Sequence, residues 1–155
     1  MHQLIFVNLP VADVARSRAF FGGLGYTFNE DFCDEQGLCL ELGPTLHAML
    51  LRRDVFGSFH TGRTAGPGTV ETLLCLSTDS RAAVDTIVDR AVALGGAEVR
   101  TEDLGFMYGR SYSDPDGHVW EVLWMDPVTS GGGPESSCGA SVEVGPSAAG
   151  GGEAW

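Results

Sequence analysis

Two spacings of apolar residues take turns along this chain. Over 2–9, Leu4, Ile5, Phe6, Val7 and Leu9 form a run that predicts a strand, and Pro10 is expected to stop it. Asp13 is placed to cap a helix running to about Leu24, with Phe20, Phe21 and Leu24 as its buried stripe. Gly22 and Gly23 weaken its last turn by ~1 kcal/mol each relative to alanine, and Gly25 is a natural stop. Short strands are predicted over 26–31, 38–42 and 47–52. Residues 54–68 carry Gly57, Gly62, Gly66, Pro67 and Gly68 and predict a long connection, either a plain linker or a functional loop. The pattern then returns. A strand is predicted over 70–78, followed by a helix capped by Asp79 or Ser80. Val84, Ile87, Val88, Ala91 and Leu94 mark one face of that helix. Strands follow over 97–102, 107–113 and 118–125, the last two joined by the turn Asp114-Pro115-Asp116-Gly117.

The order βαβββ therefore occurs twice, with Leu9 and Leu76 in corresponding places, as are Leu24 and Leu94. A repeat of this kind predicts two similar modules sharing one sheet system. The expected class is α+β: two βαβββ modules forming a curved mixed sheet around a central pocket, helices outside. The domain spans 1–127, with modules at 1–53 and 69–127 and a linker at 54–68. Residues 128–155 contain eight glycines and no basic residue and predict a disordered, Gly-rich acidic tail.

Charge and composition narrow the function. The net charge is −12, so neither nucleic acid nor an anionic membrane is an expected partner. All nine basic residues are arginine, which leaves no lysine for Schiff-base chemistry or a phosphate-binding loop. No stretch approaches the ~20 apolar residues of a membrane helix. Cys33, Cys39, Cys75 and Cys138 form no metal-binding pair and read as free thiols of a cytoplasmic protein.

Two stretches carry a resemblance. The first is Asn8-Leu9-Pro10-Val11-Ala12-Asp13 with Ser17, Phe20-Phe21 and Leu24-Gly25-Tyr26. The second is Leu94-Gly95-Gly96 followed by Asp114-Pro115-Asp116-Gly117-His118-Val119-Trp120-Glu121. In this order, around a repeat, they resemble the opening and closing motifs of the vicinal-oxygen-chelate superfamily. That superfamily includes glyoxalase I, extradiol dioxygenases, fosfomycin-modifying enzymes and metal-free antibiotic-binding proteins. The resemblance implies the paired-module fold, a homodimer, and four ligand positions for a divalent metal on the first and last strands of each module. Those positions fall here on Phe6, Met49, Leu73 and Glu121. A metal needs roughly three or four N, O or S donors, and only Glu121 is of a ligand type, so no metal and no other cofactor is expected. A two-residue slip in the Met49 strand would bring in His47 as a second donor.

Strand alternation puts Leu4, Phe6 and Asn8 on one face, with His47, Met49 and Leu51, with Glu71, Leu73 and Cys75, and with Val119, Glu121 and Leu123. These predict a largely apolar pocket for a small molecule, oriented by Asn8, His47, Glu71 and Glu121. Glu121 is the candidate catalytic acid or base, or else pairs with Arg110 from the neighbouring strand. Arg110 either grips an anionic substrate group or is spent on a carboxylate. His118 is expected in solvent. Three functions remain open: a metal-independent binder of an apolar or aromatic small molecule, as in drug sequestration; a lyase, isomerase or dioxygenase using Glu121; and an interaction protein with a vestigial cavity.

Overall fold

The computed structural model describes residues 1–127, and the tail expected from residue 128 lies outside the described residues. The first module comprises β1 (Ile5–Val11), α1 (Val14–Leu24), β2 (Thr27–Phe28), β3 (Gly37–Gly43) and β4 (Leu46–Arg52). A short helix, α2 (Arg53–Ser58), opens the linker. The second module comprises β5 (Leu73–Ser77), α3 (Arg81–Ala93), β6 (Ala97–Asp103), β7 (Met107–Ser113) and β8 (Val119–Met125). The sheets have matching orders, β1-β4-β3-β2 and β5-β8-β7-β6. In each, the first strand runs parallel to the last, and the other pairs are antiparallel.

Local chemistry sets the helix ends. Asp13 accepts the Arg16 amide and Ser80 the Ala83 amide, each satisfying a donor that the first turn leaves free. Asp79 does not take that role, because Ser80 is the residue immediately outside α3. Pro10 does not stop β1. It sits opposite Leu51 within the strand, and β1 is an edge strand, where a missing N–H costs no ladder bond. The strand expected over 26–31 shortens to two residues, because a 3₁₀ turn at Glu30–Phe32 capped by Asn29 takes the rest.

Both helices pack on the same side of their sheets and touch each other. Leu9, Val11, Leu38, Leu40 and Leu50 from the first sheet join Phe20 and Phe21 of α1 in one core. Val84, Val88, Tyr112, Trp120 and Val122 complete it from the second module. Phe21 meets the Trp120 ring edge-on at 5.2 Å. Gly96 lies where α1, α3 and β7 converge; a Cβ there would stand 2.7 Å from the Ser113 carbonyl oxygen, so the close approach requires glycine.

The α+β class and the paired βαβββ modules hold. The single curved sheet is realised as two separate four-stranded sheets that do not close on each other. They are joined through the core and through the β7–β8 hairpin. Asp114 accepts the amides of Asp116 and His118 and the indole N–H of Trp120, and Gly117 makes the turn with φ of 92°. Asp116 reaches across to the Ala12 amide at 2.8 Å and to Arg16 at 2.9 Å.

Candidate functional site

Since the helices cover one face of each sheet, the other face of each is left open to a ligand. On the first sheet this open face carries Phe6, Asn8, Cys39, His47 and Met49. Phe6 stacks on His47 with ring centroids 4.9 Å apart. The strand register sets Asn8 beside Met49, and Met49 beside Cys39. His47 Nδ1 is buried and has no hydrogen-bond partner. Phe6 is about half exposed, at 48%.

The open face of the second sheet is a different surface. Register aligns Arg100, Ser111, Glu121 and Cys75 in one row across four strands. They line a concavity of about 190 Å³ with Glu102, Met107, Gly109 and Leu123. The Glu121 side chain makes no hydrogen bond or ion pair among the described residues. It is Cys75's direct neighbour, and burial, then the Glu121 carboxylate, push the Cys75 thiol up. Arg100 holds Glu102 at 2.6 Å.

The residues expected to share one pocket are thus divided. Phe6, Asn8, His47 and Met49 lie on one sheet; Leu73, Glu121 and Leu123 lie on the other. Leu73 is on the expected face but sits in the row of Val119 and Ser113, away from the concavity. Arg110 projects to the helix side. It binds Asp85 at 3.0 Å, Asp89 at 2.8 Å and Glu98 at 3.0 Å, so it neither pairs with Glu121 nor is free for a ligand. Alternation gives the reason, since Tyr108, Arg110 and Tyr112 share the face opposite Ser111. These contacts hold the Asp85 and Glu98 carboxyls below their ordinary values, through the Tyr108 hydroxyl first at Asp85 and through Arg110 first at Glu98.

Glu71 and His118 are also corrected. His118 is buried, not in solvent. Its Nε2 lies 2.8 Å from the Pro10 carbonyl oxygen and its Nδ1 2.5 Å from the Glu71 carboxylate. Glu71 precedes the first residue of β5, so alternation along that strand does not govern it. It borders a separate cavity of about 200 Å³ with Arg53 and Asp116. Arg100, Glu102 and Ser111 were not among the expected site residues. The alternation of the strand predicted over 97–102 was the available signal, blurred by an irregularity between Glu98 and Arg100.

The four positions that the resemblance assigns to metal ligands do not suit a metal within one chain. Phe6, Met49 and Leu73 offer no N or O donor, and His47, the alternative, lies on the other sheet from Glu121. Among the described residues no three His, Cys, Asp or Glu side chains form a group able to hold an ion.

Residues 3–43 match the family described as bleomycin resistance protein-like N-terminal. Among curated proteins none matches significantly. Solved structures do. A glyoxalase/bleomycin resistance protein/dioxygenase family enzyme from Burkholderia phytofirmans superposes with a TM-score of 0.67 at 20% identity, covering 80% of this chain and 99% of that one. The chain has the glyoxalase/bleomycin-resistance fold. The hypothetical protein SA1046 from S. aureus matches with a TM-score of 0.68 at 23% identity over 80% of this chain and 94% of that one. The fosfomycin resistance protein FosX from Mesorhizobium loti gives 0.61 at 12% identity over 83% and 97%. At these identities the likeness establishes the glyoxalase/bleomycin-resistance fold and no particular activity. No helix of the described residues is long and apolar enough to cross a membrane.

Proposed function

We propose that this glyoxalase/bleomycin-resistance-like chain binds a small, largely apolar or aromatic molecule without a metal, on the open faces of its sheets, as a cytoplasmic homodimer. The carrying observation is the exchange of three ligand positions for Phe6, Met49 and Leu73, with Glu121 left unpaired in a concavity floored by Gly109 and Leu123. The concavity's roughly 190 Å³ is below the ~300–1,000 Å³ usual for a ligand site. A second wall would complete it. Phe6 and Leu73 are each about half exposed on a single chain, and burying the open faces against a second copy would supply that wall and remove apolar surface from water. The acidic net charge argues against nucleic acid as a partner.

Metal content decides first. Tag-free protein, as purified and after dialysis with Zn, Ni, Fe or Mn, is expected to hold far less than one metal per chain by elemental analysis. It should then show saturable thermal shifts with members of an aromatic compound panel, weakened in E121Q. One tightly held metal per chain would overturn this reading.

One observation favours a second reading, an enzyme of the same fold. The unpaired Glu121 carboxylate has reach to a bound molecule and can take or give a proton. Turnover of a bound compound that E121Q abolishes while binding persists would establish that reading over simple sequestration.

A further inference from the structure

The second module's concavity carries one accessible cation, Arg100, and two carboxylates, Glu102 and Glu121, which says more than that it is apolar. Arg100, Ser111 and Glu121 are successive cross-strand neighbours. Strands lie ~4.8 Å apart, so the Arg100 and Glu121 backbones stand about 10 Å apart with both side chains on one cavity. Arg100 is the cavity's accessible cation, with its side chain 59% exposed, because the Arg110 guanidinium is held on the helix side by three carboxylates. Glu102 is its one charged partner among the described residues. A guanidinium has five N–H donors in a planar fork, so donors remain that can take a second carboxylate side by side. At the other end, Glu121 has no donor of its own, and a carboxylate can only accept. Between them the floor is flat. Gly109 has no side chain, although a Cβ there would meet nothing nearer than 3.5 Å. Backbone crowding therefore does not demand the glycine. Its effect is to leave open the space that Met107 and Leu123 flank.

We propose that this concavity selects an amphoteric molecule: an acid group on Arg100, an amine or other hydrogen-bond donor on Glu121, and a flat apolar body over Gly109. The inference rests on the binding function proposed above and names its ligand class. An acid alone would meet a site whose other charges, Glu102 and Glu121, repel it. An amine alone would leave Arg100 unused. A molecule with both satisfies each end without stranding either charge.

The test uses three probes on the full-length protein by calorimetry: 4-(aminomethyl)benzoate with both groups, 4-methylbenzoate with the acid, and 4-methylbenzylamine with the amine. The two-ended probe is expected to bind about tenfold more tightly than either single-ended one. R100Q should lower it to the level of the amine probe, and E121Q to that of the acid probe. Neither variant should weaken the probe lacking the corresponding group, and E121Q, which removes a repelling carboxylate, should if anything tighten the acid probe. G109L, which fills the floor, should abolish all three, and Leu123→Trp does the same from the neighbouring strand if G109L does not fold. Loss of binding in the filled variants with no effect of R100Q or E121Q on the ranking would overturn the amphoteric selection and leave a simple apolar pocket standing. Absence of binding by all three probes also overturns it, while the pocket itself is judged separately on the apolar panel.

Discussion

The two modules share one topology but differ on both of their faces. On the helix side, α1 is held by aromatic packing, with Phe20 and Phe21 buried and Phe21 against Trp120. The ion pairs of α1 run to Asp116 and Glu30, off its own sheet, whereas α3 is tied to its own sheet at β7, Asp85 and Asp89 to Arg110 and Asp85 to the Tyr108 hydroxyl at 2.7 Å, with Glu98 of β6 completing the Arg110 cluster. On the open side the contrast reverses in kind. The first sheet offers Phe6 stacked on His47 and the neighbouring Met49 and Cys39. The second offers Arg100, Glu102, Ser111 and Glu121 around a cavity. One scaffold repeated twice has kept its hydrogen-bonding pattern while its side chains diverged. Fold and chemistry are separable because the ladder bonds come from the backbone and the site from side chains pointing off the sheet.

Three measurements would break or sharpen this comparison. The largest effect belongs to the shared core. Trp120 is fully buried, and W120A should cost about 3–5 kcal/mol in denaturant unfolding, with both modules lost in a single transition. Two separated transitions would show that the modules do not share a core. Next is the polar attachment of α3. R110M should cost about 1 kcal/mol after allowing for its half-exposed partners. It should also flatten the acid limb of the stability curve. The Asp85 and Glu98 carboxyls are lowered in the folded chain, so the unfolded chain binds protons first as pH falls. Their stabilisation is present above the ordinary carboxylate range and is lost as pH drops through their folded values. An unchanged acid limb in R110M would remove Arg110 as the cause. The smallest effect is at Tyr112, whose buried hydroxyl has no partner and whose ionisation burial pushes up. Y112F should be neutral or stabilise by about 1 kcal/mol; a clear loss would mean that the hydroxyl is satisfied by bound water.

Much of the architecture was legible because it rests on local periods. The span of α1 from Asp13 to Leu24 and that of β7 over 107–113 follow from capping and alternation, and both occur in the structure. The faces of β1, β4, β5 and β8 were legible for the same reason. Pro10 was misjudged because its cost depends on whether the strand is an edge, and strand order is not a local property. His118 was misjudged because a turn residue is exposed only if nothing packs on the turn, and here the first module does. Arg110 was open between two readings because the carboxylates that claim it come from other elements, Asp85 and Asp89 from α3 and Glu98 from β6.

The sequence alone therefore determined the elements, the repeat and which side chains share a face, since these follow from backbone geometry over a few residues. Only the tertiary structure decided which faces meet. It merged the two helix sides into one core and kept the sheets apart. It also drew Glu71 to His118, and left Arg100 and Glu121 on one cavity. Those outcomes depend on packing and charge pairing between segments distant in the chain, where no period along the sequence carries the information.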